Sequence, residues 1–478
     1  MRRKYDPRPF AGVAAQHLAE HPRSALWAKP GMGKSVMTLN YLDALHNVAG
    51  ESAPTLVLAP LRVARDGWAQ ESAKWEHLKG FDVVPIVGDL AQRKAALRRD
   101  APVYTTNYEQ LVWLVDYFEE MGKAWPFRTV VADESTKLKG FRTRQGTARA
   151  RAIASVAHAK VERWINLTGT PSPNGLKDLW GQTWFLDQGQ RLGRTYSAFE
   201  SRWFGYRRAK DAVSGRMDLQ PVIFPFAQEQ IQEKLRDICL TLDPKDWFDL
   251  KDPIVSVIHV DLPPKARRVY NEMEKEMFTV LGGYEVEAFN AASKTMKCLQ
   301  LANGAVYVDP AVLGDDHPKA RLWQELHQEK LDALEELAEG SGDDPILVAY
   351  YFKSDLARLL HRFPDALDLS RADHMAAAKA GKGKLWFGHP ASMGHGVDGL
   401  QAWCNRIVFF AQDWNLEFHD QILERIGPMR QYQEGKDRGV FVDYIVARNT
   451  VDEVVMARRE GKGSVQQILM DYMKARKT

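Results

Sequence analysis

At 478 residues the chain exceeds what one hydrophobic core organises, since cores stop growing near ~250–300 residues, so two or three domains are expected. Its 65 Lys and Arg against 62 Asp and Glu leave a formal charge of +3, which announces no nucleic-acid partner and requires any basic groove to be local. Three widely spaced cysteines, no run of about 18 apolar residues and no apolar signal core after Arg2-Arg3-Lys4 argue against disulfide frameworks, zinc sites, membrane spans and export, leaving a soluble cytoplasmic protein as the expectation.

From Ser24 to Thr168, short apolar runs alternate with helical patterns: Ala25-Leu26-Trp27, Leu56-Val57-Leu58, Val103-Tyr104-Thr105, Val130-Val131-Ala132 and Trp164-Ile165-Asn166-Leu167. That rhythm predicts a parallel sheet covered by helices. Between the first run and a helix marked by Met37, Tyr41, Ala44 and Leu45 lies Ala28-Lys29-Pro30-Gly31-Met32-Gly33-Lys34-Ser35. The backbone N–H groups of Gly31, Met32 and Gly33 can turn toward phosphate oxygens, Lys34 supplies charge, and Ser35 supplies a hydroxyl for magnesium. The phosphate-loop pattern usually begins with Gly, and Ala28 stands there instead. ATP and Mg2+ are the expected cofactors.

The fourth run ends in Asp133-Glu134, two acids at the carboxyl edge of the expected sheet, where open α/β folds bind ligands. Their expected division of labour gives Asp133 the magnesium and Glu134 the attacking water. Between Leu176 and Gly304 the alternation fades, and patterns such as Tyr270, Met273, Met277 and Val280 read as mostly helical, with loops or hinges around Ala209–Gly215 and Leu240–Pro253. A second strand-helix series runs through Ile346–Tyr350, Leu385–Phe387, Ile407–Phe410 and Val440–Val442, and Thr450 with Glu453 predicts the capped start of a last helix. The fold class is therefore α/β, two parallel-sheet cores with an intervening largely helical insertion, divided as 1–175, 176–310 and 311–478.

Two cores make physical sense for phosphoryl transfer, because an arginine supplied from a second core to the γ-phosphate is worth ~10³–10⁵ in rate and makes hydrolysis depend on closure. In order along the chain, the motifs resemble those of the superfamily-two helicases and, more narrowly, the Swi/Snf-type ATPases. Thr168-Gly169-Thr170-Pro171 is similar to the element that couples nucleotide to track, and Leu58-Ala59-Pro60-Leu61 with Thr105-Thr106-Asn107-Tyr108 to the strand-contacting segments of the first core. Ser392 through Gln401, Asp413-Trp414-Asn415 and Gln421-Ile422-Leu423-Glu424-Arg425 resemble the later motifs.

The resemblance implies two RecA-like cores and a DNA partner, most directly duplex DNA. It implies nucleic-acid contacts at Pro60, Thr106, Asn107, Thr168 and Thr170, and nucleotide contacts at Phe10, Pro30, Gly396, Asp398 and Gln421 beside the phosphate loop. Compact members without accessory domains point to a bacterial or bacteriophage setting. Two departures stand out. The family's second arginine follows the first by three residues, whereas here Pro428 holds that place and Arg430 comes later, so the catalytic arginine is Arg425 or Arg430. The adenine-reading glutamine should follow an aromatic, but Ala11 follows Phe10 and Gln16 is displaced.

Clusters at Arg142, Arg144, Arg149 and Arg151, and at Arg202, Arg207, Arg208, Lys210 and Arg216 with Trp203, Phe204 and Tyr206, read equally as phosphate-neutralising faces or as solvated helix faces. Trp180 and Trp184 read as core. The expected function is an ATP-driven motor on double-stranded DNA. A strand-separating DNA or RNA helicase, and a P-loop ATPase or kinase indifferent to nucleic acid, are the alternatives.

Overall fold

The computed structural model describes residues 2–144, 146–210, 217–276, 278–281, 284–287, 291–308, 323–393, 397–436 and 438–472. The chain divides into two compact units, Met1–Arg207 with Pro221–Asp249 and Lys462–Thr478, and Arg208–Gln220 with Leu250–Gly461. The interval 176–310 is thus shared out between the two units.

The first unit is built on β1 (Arg23–Ala28), β2 (Thr55–Ala59), β3 (Val83–Pro85), β4 (Val103–Asn107), β5 (Thr129–Asp133) and β6 (Arg163–Thr168). After the β7 (Phe204–Lys210) and β8 (Met217–Ile223) pair, β9 (Cys239–Leu242) completes a seven-stranded parallel sheet in the order β3-β4-β2-β5-β6-β1-β9. Strands β2, β4 and β5 are buried at every residue. Successive side chains point to opposite faces, so burial of both faces requires cover on each, which explains why these strands read as unbroken apolar runs. One face packs Leu56, Leu58, Val130, Ala132 and Trp164 against helices bearing Leu114, Phe118, Ile153 and Phe185.

In the second unit β10 (Ile254–Val260) precedes two antiparallel pairs, β11 (Phe278–Leu281) with β12 (Tyr284–Glu287) and β13 (Ala305–Tyr307) with β14 (Trp323–Glu325). A second parallel sheet then forms from β15 (Ile346–Ala349), β16 (Leu367–Asp368), β17 (Leu385–Gly388), β18 (Arg406–Phe409) and β19 (Phe441–Ala447), in the order β10-β19-β18-β15-β17-β16. Both expected parallel-sheet cores are present.

The interval read as helical does carry helices, among them Leu179–Asp187, Tyr196–Trp203, Ala227–Leu235 and Pro264–Glu276. It also sends β9 into one sheet and β10 into the other. The loop expected at Leu240–Pro253 therefore begins as strand, because Cys239-Leu240-Thr241-Leu242 finds a partner in β1 that local sequence does not reveal. The helix carrying Tyr270 and Met273 stops at Glu276, and Val280 lies on β11, where Phe278-Thr279-Val280-Leu281 has the β-branched and aromatic character strands favour. Met277, 211–216 and the basic tail at Lys474, Arg476 and Lys477 lie outside the described residues.

Of the apolar marks on the Lys34–Asn47 helix, Met37, Tyr41 and Leu45 are buried and Ala44 faces solvent. The last helix begins at Val451, and the Thr450 hydroxyl accepts from the Asp452 N–H rather than from that of Glu453.

Candidate active site

Register across the first sheet aligns the motif ends. Asp133 pairs with Leu167, Leu167 pairs with Leu26, and one step past the Leu58–Ala132 pair Ala59 stands beside Asp133 and opposite Asn107. With strands ~4.8 Å apart, Asp133 and Leu26 lie about 10 Å from one another on the carboxyl edge. The phosphate loop, Pro60, Asn107, the acidic pair and Thr168 thus leave the sheet along one row.

At the head of that row Gly31 and Gly33 hold φ of 84° and 80°, the left-handed region that costs glycine least. Gly33 is the N-cap of the Lys34–Asn47 helix and, being glycine, offers no side-chain cap of its own. A helix N-terminus entered through two left-handed glycines is a cradle for an anion. Lys34 lies at its mouth, its Nζ donating to the Ala28 carbonyl at 2.7 Å, and Lys29 pairs with buried Asp243 at 3.1 Å. Met32 is buried, whereas Pro30 and Ser35 are half-buried.

Asp133 is 6% exposed and held on both sides. The Trp68 indole donates to Oδ2 at 3.0 Å, and the Glu134 N–H donates to Oδ1 at 3.1 Å. From behind, Tyr108 donates its hydroxyl to the Asp133 carbonyl at 2.8 Å, and burial together with the Asp133 charge pushes that phenol well above its ordinary pKa. Glu134 is half-buried and takes φ of 54°, a left-handed conformation uncommon outside glycine, at the start of the Ser135–Leu138 turn. Backbone strain of this kind concentrates at functional sites. Trp68 escaped the sequence reading, since it lies 65 residues before Asp133, and Tyr108, read there only as the end of a strand-contacting segment, was given no part in holding the acidic pair.

The Thr168–Pro171 turn packs directly on the phosphate loop. A Cβ on Gly169 would stand 3.0 Å from Pro30 Cδ and 3.2 Å from the Ala28 carbonyl, so any other residue would push turn and loop apart by a few tenths of an ångström. Thr168 accepts from the Thr170 N–H at 3.1 Å, and the buried Thr170 hydroxyl has no hydrogen-bond partner among the described residues. Of the other expected nucleic-acid residues, Thr106 is fully buried and donates to the Ile86 carbonyl, Asn107 donates to Glu109, and Pro60 is half-buried. Thr106 and Thr168 thus hold the row together from inside.

Phe10 is fully buried, set edge-on to Trp247 and Phe248 at ring separations of 5.8 and 6.0 Å. Within the arginine clusters, Arg142 stacks 3.5 Å from the Tyr196 ring centroid and Arg149 pairs with Glu109, which are structural roles, while Arg144, Arg151 and Arg208 are exposed. Trp203 and Phe204 are buried and Tyr206 is exposed. Arg202 lies over the Trp203 ring, and Trp180 and Trp184 are core. Arg216 and the side chains of Arg207 and Lys210 fall outside what is described.

The second unit gathers the later motifs at one place. Arg425 donates to the carbonyls of Gln421 and Val397 at 3.1 and 2.9 Å, and Arg430 pairs with exposed Asp398 at 3.0 Å. Both arginines therefore converge on Val397-Asp398, although 28 and 32 residues separate them from it in sequence. Gln421 is 3% exposed, its Nε2 facing Glu417 and its Oε1 without a partner among the described residues. Gln431 is buried against the Cys404 and Ile426 carbonyls. Gly396 and His395 lie outside the described residues, and the three cysteines are free and buried.

Residues 19–305 match the SNF2-related domain. The chain is 50% identical over 472 residues to the putative protein p41 of Acyrthosiphon pisum secondary endosymbiont phage 1, covering 98% of this chain and 99% of that protein. It is 22% identical to the protein CHROMATIN REMODELING 5 of Arabidopsis thaliana, over 93% of this chain and only 26% of that one. Among solved structures, the Sulfolobus solfataricus SWI2/SNF2 ATPase core in complex with dsDNA aligns over 98% of this chain and 94% of that chain, at 20% identity and a TM-score of 0.43. No helix among the described residues is long and apolar enough to cross a membrane. With the matched domain covering more than half of its length, the chain belongs to the SNF2-related family and is an ATP-hydrolysing motor of the helicase-like class.

Proposed function

We propose that this chain hydrolyses ATP to translocate along double-stranded DNA. The observation that carries the reading is the row at the carboxyl edge of the first sheet, where a glycine-entered helix N-terminus, an oriented aspartate and a strained glutamate stand within about two strand spacings. In this reading the N–H groups after Gly31 and the Lys34 ammonium hold the β- and γ-phosphates. Ser35 and Asp133 offer one hydroxyl and one carboxylate, a sparse set of the kind that would hold Mg2+ together with substrate phosphates and water. Bound there, the ion neutralises charge developing on the phosphate oxygens.

Glu134 orients the attacking water and takes its proton. Arg425 or Arg430 is the arginine that the family resemblance assigns to the developing γ-phosphate charge. The Thr168–Pro171 turn, in contact with the phosphate loop through Gly169, ties nucleotide state to the track. Duplex DNA is the favoured track on the family resemblance, and exposed Arg144 and Arg151 are suited to phosphate contact.

The test is ATP turnover with duplex DNA, single-stranded DNA, RNA and no polymer, beside triplex-displacement and strand-separation assays. Expected are strong duplex stimulation that weakens as salt rises, and triplex displacement without strand separation. Glu134→Gln should bind ATP and lose ~10²–10⁴-fold in turnover, the range of a general base. Turnover indifferent to every polymer would instead favour a nucleic-acid-independent ATPase.

A further inference from the structure

Between the acidic pair and the Thr168–Pro171 turn lies a side chain that belongs to neither motif. Gln182 sits in the Leu179–Asp187 helix, 2% exposed, with its amide fully committed. Its Oε1 accepts from the Ser135 hydroxyl at 2.9 Å, and its Nε2 donates to the Pro171 carbonyl at 2.5 Å and the Asp178 carbonyl at 3.1 Å. Its backbone carbonyl accepts from Asn166 Nδ2 at 2.9 Å. Ser135 directly follows Glu134, Pro171 directly follows Thr170, and Asn166 lies on β6 two residues before Thr168.

We propose that Gln182 is a positioning residue, a single amide that transmits displacement of the Thr168–Pro171 turn to the backbone of Glu134. The inference rests on the reading that Glu134 directs the water and that this turn answers to DNA. Three observations carry it. Glu134 holds a left-handed backbone that it keeps only while its surroundings over-determine it, and the next residue is fixed by Gln182. The same helix presses on the turn after Glu134 through Gly181, where a Cβ would stand 2.6 and 2.7 Å from the Lys139 and Leu138 carbonyls, so the acidic turn and the helix are in direct backbone contact. Finally, the bond set needs an acceptor and a donor on one buried side chain of this length, which an amide provides and an aliphatic or carboxylate side chain does not.

A core amide with only a structural role would lower stability without touching the response to DNA. The full chain carrying Gln182→Leu, Gln182→Glu, Ser135→Ala, and Ser135→Ala with Gln182→Leu is compared with wild type. The measurements are ATP affinity with a fluorescent nucleotide, turnover with and without duplex DNA, and thermal unfolding. Gln182→Leu is expected to leave ATP affinity within about twofold while the ratio of stimulated to unstimulated turnover falls about tenfold. Gln182→Glu keeps the acceptor for Ser135 but loses the donor to Pro171, and its ratio should also fall.

The double variant should be no worse than the worse single one, because both remove the same link. An unchanged ratio in a Gln182→Leu protein that merely unfolds earlier overturns the proposal, as do additive losses in the double variant. Should Gln182→Leu fail to fold, the Ser135→Ala ratio decides alone: a fall supports the link and an unchanged ratio overturns it. Absence of DNA stimulation in the wild-type chain would overturn the proposed function itself, before any variant is compared.

Discussion

Replacing Gly181 by alanine asks whether the turn carrying Glu134 is held from behind. The added methyl would lie 2.6 Å from the Lys139 carbonyl oxygen, 2.7 Å from that of Leu138 and 2.8 Å from the Lys139 carbonyl carbon, all backbone atoms that cannot rotate away. Carbon–oxygen contacts settle near ~3.4 Å, so helix and turn must part by roughly 0.7 Å. Overpacking of that kind costs about 1–3 kcal/mol, and the better helix propensity of alanine returns about 1, leaving a net loss of roughly 0–2 kcal/mol. In a unit of this size that lowers Tm by a few degrees at most.

Turnover should suffer more than stability. A displacement of 1 Å at reacting groups can cost ~10²-fold, so a shift of this size predicts on the order of a tenfold loss in kcat. Gly12→Ala provides the control: its Cβ meets nothing within 4 Å, and the variant should gain about 0.5–1 kcal/mol with turnover unchanged. Thermal unfolding and steady-state ATP turnover on both variants decide the matter. A Gly181→Ala protein that melts no lower and turns over as fast as wild type would refute the reasoning, since the turn would then be free to move without consequence.

Two further outcomes follow from the same geometry. Trp68→Phe keeps a buried ring but removes the indole bond to Asp133, and the Mg2+ concentration for half-maximal turnover should rise about 10–100-fold; an unchanged magnesium titration would detach Asp133 from the metal. Burial lowers the His327 pKa to about 4, so the folded chain resists a proton that the unfolded chain accepts below about 6.5. Stability is therefore indifferent to this group above about pH 7 and falls as pH drops from 6.5 toward 4, by about 2 kcal/mol at pH 5. Asp355, raised to about 6 by burial, acts in the opposite sense over that window, so the diagnostic is the difference between wild type and His327→Gln. The variant should lose less Tm between pH 7 and pH 5, and identical losses would show that His327 takes no part.

Much of the candidate site is legible in the primary structure because its proposed chemistry is local. A phosphate cradle is made by consecutive residues, so Gly31, Gly33, Lys34 and Ser35 announce it together, and an acidic pair at the end of an apolar run is necessarily at a strand end. The two parallel sheets were legible for a similar reason, since strands buried on both faces leave unbroken apolar runs. Local pattern has no access to which strand lies beside which. Strands β9 and β10 were therefore missed, as their partners lie some 200 residues away in β1 and β19.

The supports of the site were hidden on the same ground. An indole on a carboxylate, an amide spanning two turns and an arginine on the carbonyl of Val397 join residues 11 to 65 positions apart, and no spacing rule connects them. Nor does a glutamate codify its own left-handed backbone. The order of residues alone determined which groups are available for phosphoryl transfer. Only the tertiary structure decided which backbones bring them to one edge and which buried partners hold them there, because hydrogen bonds and close packing act on distance in space and are blind to distance along the chain.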